Sequence, residues 1–352
     1  MPAGRVVASC AAPFGVGGLG RHLQEIVAAL DRRGQPRVCL SGATASPPPG
    51  AELRQLPAGA LERTLAPRVL GPSPAWRARA ACEAFDRRAA RALPDADHLI
   101  AFNGQALAQF AAAQRRGWES VSLVAANSHL KHLLRQHARA HSQYPLERSW
   151  ATRLLERNRR EYALAERIYV ASRYIWESFV REGVSEDRLV SLPLTPDPRY
   201  APGDAPTASS TFDVVYVGSL TVAKGVPLLV EAFGRLAHAD MRLVLVGGWG
   251  TRGMRRFMQQ ACARDRRISI RPGDPLPHLR AARLYVHASY EDGFAYAPAE
   301  ALACGVPVIV SADTGMKELV ESGGGGVIVP TGDVDALAQA ISAAYAGEIP
   351  NG

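Results

Sequence analysis

Short apolar runs alternate with amphipathic stretches along the first half of the chain, the pattern of a parallel sheet flanked by helices. Arg5 to Cys10 predicts the first strand, and the glycine loop Phe14 to Gly20 follows it. Arg21 to Arg33 then reads as a helix, with Leu23, Ile26, Val27 and Leu30 on one face and Gly34 as its stop. Further strands are expected at Arg37 to Leu40, His98 to Phe102, Val121 to Ala125 and Arg167 to Ala171. A highly charged helix is expected at about Leu146 to Ala165, and the proline run between Ser46 and Gly50 reads as a loop.

From Thr195 to Ser210 four prolines stand among Gly, Asp, Ser and Thr, a linker composition. A second alternation follows. Asp213 to Val217, Met241 to Val246, Ile268 to Arg271, Leu284 to Ala288 and Val306 to Val310 are strand-like, and Val226 to Leu236 is helical. The expected fold is α/β: two doubly wound, Rossmann-like domains at residues 1–194 and 213–352, with a hinge at 195–212. Ligands in such sheets bind beyond the strand C-termini.

A length of 352 residues suits two domains of roughly 150 to 200 residues each. No stretch of about 18 uncharged apolar residues occurs, so a membrane span is not expected. The first residues lead straight into a strand and lack the apolar core of a signal peptide. Five cysteines, widely spaced and odd in number, read as reduced thiols of a cytoplasmic protein. The formal charge of +8 favours anionic partners: a nucleotide diphosphate, an anionic membrane face met peripherally, or nucleic acid. Its dense parts, Lys131 to Arg160 and Arg252 to Arg267, lack interleaved aromatics, so no nucleic acid is expected. Solvated helix faces account for the same clusters equally well.

The richest chemistry lies in SYEDGFAYAPAEALACGVPVIV, residues 289 to 310. Asp292 and Glu300 stand eight positions apart, and Glu300 is expected to open a short helix ahead of an apolar strand. Carboxylates accept hydrogen bonds from sugar hydroxyls, and free N–H groups at a helix start can face a diphosphate. A surface glutamate on a helix is the plain alternative for Glu300. The loop Gly218 to Gly225 offers a second phosphate-type turn, in which Lys224 is a candidate phosphate cation or an ordinary surface lysine. GVGGLG, between a strand and a helix, is either a plain tight turn or a place of close backbone approach to a ligand.

The 289–310 segment resembles the signature of glycosyltransferase family 4, retaining sugar transferases with the GT-B fold, in which two domains face each other across a cleft. Ser289, Asp292-Gly293-Phe294, Glu300-Ala301, Ala303, Gly305 and Pro307-Val308-Ile309 carry the resemblance. Asp292 stands where that family has Glu, with Glu291 beside it, and Ala295 replaces a glycine. The resemblance implies that Glu300 holds ribose hydroxyls and Asp292 or Glu291 the donor sugar. It also brings the N–H groups of Phe294 and Ala295 to the phosphate. Gly293 belongs to the same loop. It makes Gly218, Lys224 and Gly225 the phosphate grip, with Ser219 where an arginine is usual and Arg252 as a substitute cation. Gly248 and Arg271 fall at the turns near the nucleotide, and Gly17 and Gly18 become donor-facing candidates. In the first domain Asn103 occupies a place where the family has histidine, and His129 ends the next strand. Both are catalytic candidates beside Lys224 and Asp292, although a core or capping histidine is the plain alternative for His129.

Asp95-Ala96-Asp97 spells a D-x-D but precedes a strand, so it reads as a turn, and neither a metal nor another cofactor is expected. The expected function is retaining transfer of a sugar from a nucleotide-diphosphate donor, the co-substrate, to a saccharide, lipid-linked or small-molecule acceptor, as in surface-glycan biosynthesis. The alternatives are a GT-B epimerase or phosphorylase, and a non-catalytic protein that binds sugar nucleotides.

Overall fold

The computed structural model describes residues 4–35, 37–42, 50–57, 74–203, 211–323 and 325–349. The prolines at 47–49 and part of the expected hinge, 204–210, lie outside the described residues. Two compact units are present. The first comprises Met1–Leu134, Arg148–Ala171 and Ile175–Leu194, and the second Arg135–Glu147, Ser172–Tyr174 and Thr195–Gly352. The division is therefore not a single cut at residue 194: two short earlier segments pack with the C-terminal unit.

The first unit holds seven parallel strands: β1 (Val6–Cys10), β2 (Arg37–Ser41), β3 (Glu52–Gln55), β4 (His98–Phe102), β5 (Ser120–Ala125), β6 (Arg167–Val170) and β7 (Leu189–Ser191), in the order β3-β2-β1-β4-β5-β6-β7. Every residue of β1 and β4 is buried, which is why these central strands read as unbroken apolar runs. Edge strand β3, Glu-Leu-Arg-Gln, has no buried residue and so left no apolar signature. Leu23, Ile26, Val27 and Leu30 of the Gly17–Asp31 helix pack on Val6, Ala8, Cys39 and Ile100.

The second unit holds six: β8 (Phe212–Val217), β9 (Met241–Val246), β10 (Ile268–Ile270), β11 (Leu284–His287), β12 (Val308–Ser311) and β13 (Gly326–Val329), in the order β10-β9-β8-β11-β12-β13. Leu229 and Phe233 of the Val226–Gly234 helix, Met254 and Met258, and Leu337 and Ile341 cover one face of this sheet. Ala299 and Ala301 of the Tyr296–Ala303 helix, with Val215, Tyr285 and Val310, build the core on the other. In each sheet the strand order reverses once, between β1 and β4 and between β8 and β11. Loops leaving the C-terminal ends of such a pair diverge to opposite faces and open a crevice, the ligand position of doubly wound sheets.

Three expected boundaries shift. The charged helix runs only over Leu155–Leu164, after a 3-10 turn at Ala151–Arg153. Leu146 and Glu147 belong to the second unit instead. Glu300 does not open its helix: the helix begins at Tyr296, with Pro298 in its first turn, where the missing N–H costs no intrahelical bond. The Val226 helix closes at Gly234.

Candidate active site

Two loops leave the switch point of the second sheet, one after β8 and one after β11, and glycines let them close. Gly247, ending β9, passes so near Gly218 that a Cβ on it would stand 1.9 Å from the Gly218 carbonyl oxygen. Gly225, with φ +67°, leads into the Val226–Gly234 helix, and a Cβ there would lie 1.8 Å from the Ala288 carbonyl oxygen. Tyr290 N donates to Ala223 O at 2.9 Å, so the two loops are joined backbone to backbone. Gly315 N donates to Asp292 O at 2.9 Å, and Ser172 Oγ donates to Gly293 O at 2.7 Å. The acidic loop is thereby held from both sides.

This scaffold brings Lys224 and Asp292 together, with Nζ 2.6 Å from Oδ2. His287, the last residue of β11, places Nε2 3.1 Å from the same oxygen. Burial alone would push the Asp292 carboxyl up, but the Lys224 charge and the His287 hydrogen bond outweigh it and hold the group well below the usual carboxylate range. Asp292 is therefore an anion, its side chain 13% exposed, against a lysine 29% exposed. The Tyr285 hydroxyl donates to Val217 O at 3.3 Å. Burial, neighbouring Tyr216 and the charges of both Asp292 and Glu300 push the Tyr285 phenol far up. One phenol thus feels both acids of the motif. Glu291 and Glu300 are each 2% exposed, which removes the surface-glutamate reading of Glu300.

The other expected donor residues of the second unit lie on its loops and helix starts. Ser219 is exposed, and its carbonyl accepts from Tyr216 Oη at 2.9 Å. Around Gly248 a Cβ would meet nothing within 4 Å, and its carbonyl accepts from Leu220 N at 2.9 Å. Arg252 is exposed at the start of the Arg252–Arg264 helix, and Arg271 is exposed just after β10. Phe294 and Ala295 immediately precede the Tyr296–Ala303 helix, so their N–H groups lie at its N-terminal end.

Two residues escaped the sequence reading. His287 looks like one more position of the apolar strand LYVH; only the fold brings Asp292 back to it. Glu147 accepts from Val222 N at 2.7 Å through one oxygen and from Thr251 Oγ1 at 2.8 Å through the other. It ties the Lys224 loop to the N-cap of the Arg252–Arg264 helix, and no spacing in the sequence signals that.

In the first unit, Asn103 follows β4 and donates from Nδ2 to Asn158 Oδ1 at 3.0 Å. The turn after it is pinned by carboxylates. Glu161 accepts from the N–H groups of Gly104, Ala106 and Leu107, and Asp86 from those of Ala108 and Gln109. Arg157 bridges the two acids. His129 differs from its catalytic expectation. It is buried, its ring lies 5.1 Å edge-on from Phe179 and 4.8 Å from Tyr162, and Nδ1 accepts from Lys131 N at 3.3 Å. Apolar neighbours and a local cap make it a core histidine that starts the Leu130–Gln143 helix. Around Gly17 and Gly18 a Cβ would meet nothing within 4 Å, so the start of the Gly17–Asp31 helix is open.

Asp97 accepts from Arg5 N at 2.7 Å, which makes the D-x-D part of a turn. Among the described residues no His, Cys, Asp and Glu side chains gather in threes as a metal-binding group. No helix among them is long and apolar enough to cross a membrane.

Residues 211–346, which contain all of β8 to β13, match the family model described as "Glycosyl transferases group 1". A curated relative, O-antigen chain mannosyltransferase B of Escherichia coli, is 32% identical over 131 residues, 35% of this chain and 34% of that protein. The match thus spans about a third of the relative's length. Solved structures extend the likeness to the whole fold. Sucrose-phosphate synthase from Thermosynechococcus elongatus superposes with a TM-score of 0.69 at 21% identity, covering 98% of this chain and 90% of that one. Anabaena HepE in complex with UDP-glucose gives 0.68 at 17% identity, over 97% and 90%. Two parallel-sheet α/β units with these neighbours are the GT-B fold.

Proposed function

We propose that this chain is a retaining glycosyltransferase of family 4 type that moves a sugar from a nucleotide-diphosphate donor to a saccharide, lipid-linked or small-molecule acceptor. The observation that carries the reading is the Lys224–Asp292 pair at the switch point of the domain matching group 1 glycosyltransferases. The bound UDP-glucose of the HepE neighbour supports a nucleotide-sugar donor.

The bond to break joins the anomeric carbon to a phosphate oxygen, so the main task is to stabilise negative charge building on the departing diphosphate. Lys224 supplies a cation there, and the N–H groups of Phe294 and Ala295 add the positive end of a helix. Asp292 and Glu291 accept from donor sugar hydroxyls, and Glu300 from the ribose. The acceptor hydroxyl attacks the face from which the diphosphate leaves and gives its proton to a phosphate oxygen. No protein nucleophile is required. With Lys224 as the charge partner the reaction needs no metal or other cofactor, and Arg252 or Arg271 is the candidate second cation in place of Ser219. The chain acts in the cytoplasm, and its net charge of +8 suits peripheral contact with an anionic membrane that presents the acceptor.

Thermal-shift screening against UDP, GDP, ADP and their sugars tests the donor assignment. A rise in Tm with one base, followed by acceptor-dependent release of that nucleotide in the presence of EDTA and a product with the donor's anomeric configuration, is the expected result. No shift with any nucleotide, or an inverted product, overturns it.

A further inference from the structure

Asp292 Oδ2 accepts two side-chain hydrogen bonds, from Lys224 Nζ at 2.6 Å and His287 Nε2 at 3.1 Å. The proposed reaction needs the lysine on the diphosphate. Taking that bond from Asp292 leaves a largely buried anion that must find its charge-stabilising contact elsewhere.

We infer that His287 is a positioning residue that keeps Asp292 in place while Lys224 changes partner from the carboxylate to the donor diphosphate; the inference rests on the donor reading above. The His287 side chain is 4% exposed, and among the described residues Nδ1 has no hydrogen-bond partner. Among these residues Asp292 is thus the one group its ring nitrogens serve. The ring lies within 11° of the plane of Tyr216 and 15° of that of Tyr285, with centroids 6.5 and 6.4 Å away. These flanking phenols fix its plane. A ring proton on Nε2 fits the geometry, since the Asp292 oxygen lies there to accept it, whereas Nδ1 faces no acceptor among the described residues.

His137, Tyr216 and Tyr285 supply no replacement for the lysine. His137, which feels the Lys224 charge, is pushed down to about 3 by burial and by His141 and Lys224, so it is neutral. Burial and the Asp292 charge push the Tyr216 phenol up, and Tyr285 is raised likewise, so both stay neutral as well. His287 therefore lets the lysine leave without freeing Asp292 to turn away from the sugar.

Calorimetry with UDP, GDP and ADP, on His287→Leu and His287→Gln in both the wild-type and the Asp292→Ala backgrounds, tests the inference. His287→Leu is expected to weaken the tightest of the three by about tenfold, and His287→Gln, whose amide can still donate, to restore most of that. In the Asp292→Ala background, which has no side-chain acceptor where Asn would keep one, the leucine change should move affinity by less than about twofold, since a removed partner leaves nothing to couple. Equal losses in both backgrounds, or no loss, overturn the positioning role while leaving the donor reading intact. Failure of the wild type to bind any of the three overturns the donor reading and the exchange together. If the leucine variant does not fold, ring 15N shifts of the wild type decide: Nε2–H with a bare Nδ1 supports the inference, and the opposite tautomer overturns it.

Discussion

Lys224 and Asp292, 68 residues apart in the chain, meet at 2.6 Å between the C-terminal ends of β8 and β11. Neither strand alone could make the pair. It exists because the strand order reverses between β8 and β11, so the loops that leave them border one crevice.

Asp292→Asn should stabilise neither partner. It removes the charge that offsets a lysine 29% exposed, and the expected cost is about 1–2 kcal/mol in urea unfolding of the second unit. Lys224→Ala should cost more, about 2–3 kcal/mol, because the group left behind is the more buried one. Combining the two should recover part of the sum, and strict additivity would contradict a direct pair.

Gly247→Ala should destabilise the second unit by about 2–4 kcal/mol, since the new Cβ would stand 1.9 Å from the Gly218 carbonyl oxygen. Gly248→Ala is the control. A Cβ there meets nothing within 4 Å, so stability should change by less than about 0.5 kcal/mol. Chemical denaturation of both variants checks the contrast.

Glu161→Gln should loosen the turn that carries Asn103. The carboxylate accepts from Gly104, Ala106 and Leu107, and an amide offers those donors one acceptor oxygen in place of two. Hydrogen exchange at these three amides should speed up about tenfold or more, with the Val226–Gly234 helix as an unaffected reference.

The stability contributed by His22 and His137 should fall as pH drops below about 6.5, while Glu161, whose carboxyl burial pushes up to about 7, contributes in the opposite direction in the first unit. Burial lowers His22 to about 3, and burial with neighbouring His141 and Lys224 lowers His137 to about 3, from the ordinary imidazole value of 6.5. The unfolded chain therefore binds protons that the folded chain refuses, and the loss grows from pH 6.5 until it levels near pH 3. Between pH 6.5 and 5 each histidine accounts for about 2 kcal/mol. His22→Leu should remove one proton from the pH dependence of the first unit and leave it more stable at pH 5 relative to pH 7 than the wild type, read from urea midpoints at pH 7, 6 and 5.

The parallel α/β architecture was legible because buried central strands such as β1 and β4 are unbroken apolar runs. Polar edge strand β3 was not, and β13 follows a glycine run that reads as a loop. The acids of the 289–310 motif and Lys224 were legible because glycine-marked loops and a short helix carry them between apolar strands. His287 and Glu147 were hidden for a different reason: each acts on a group brought to it by tertiary folding. For His129 the sequence left a catalytic and a core or capping reading open, since ending a strand does not tell a histidine whether Phe179 and Tyr162 will enclose it; the structure gives it the core surroundings.

The dissociation constant of the best-binding nucleotide sugar, measured for the wild type, Lys224→Ala and Glu300→Ala, bears most directly on the donor site. A clasp formed by the β8 and β11 loops predicts a loss of tenfold or more, by about 1.5–3 kcal/mol, in each variant. Wild-type affinity in both would contradict it.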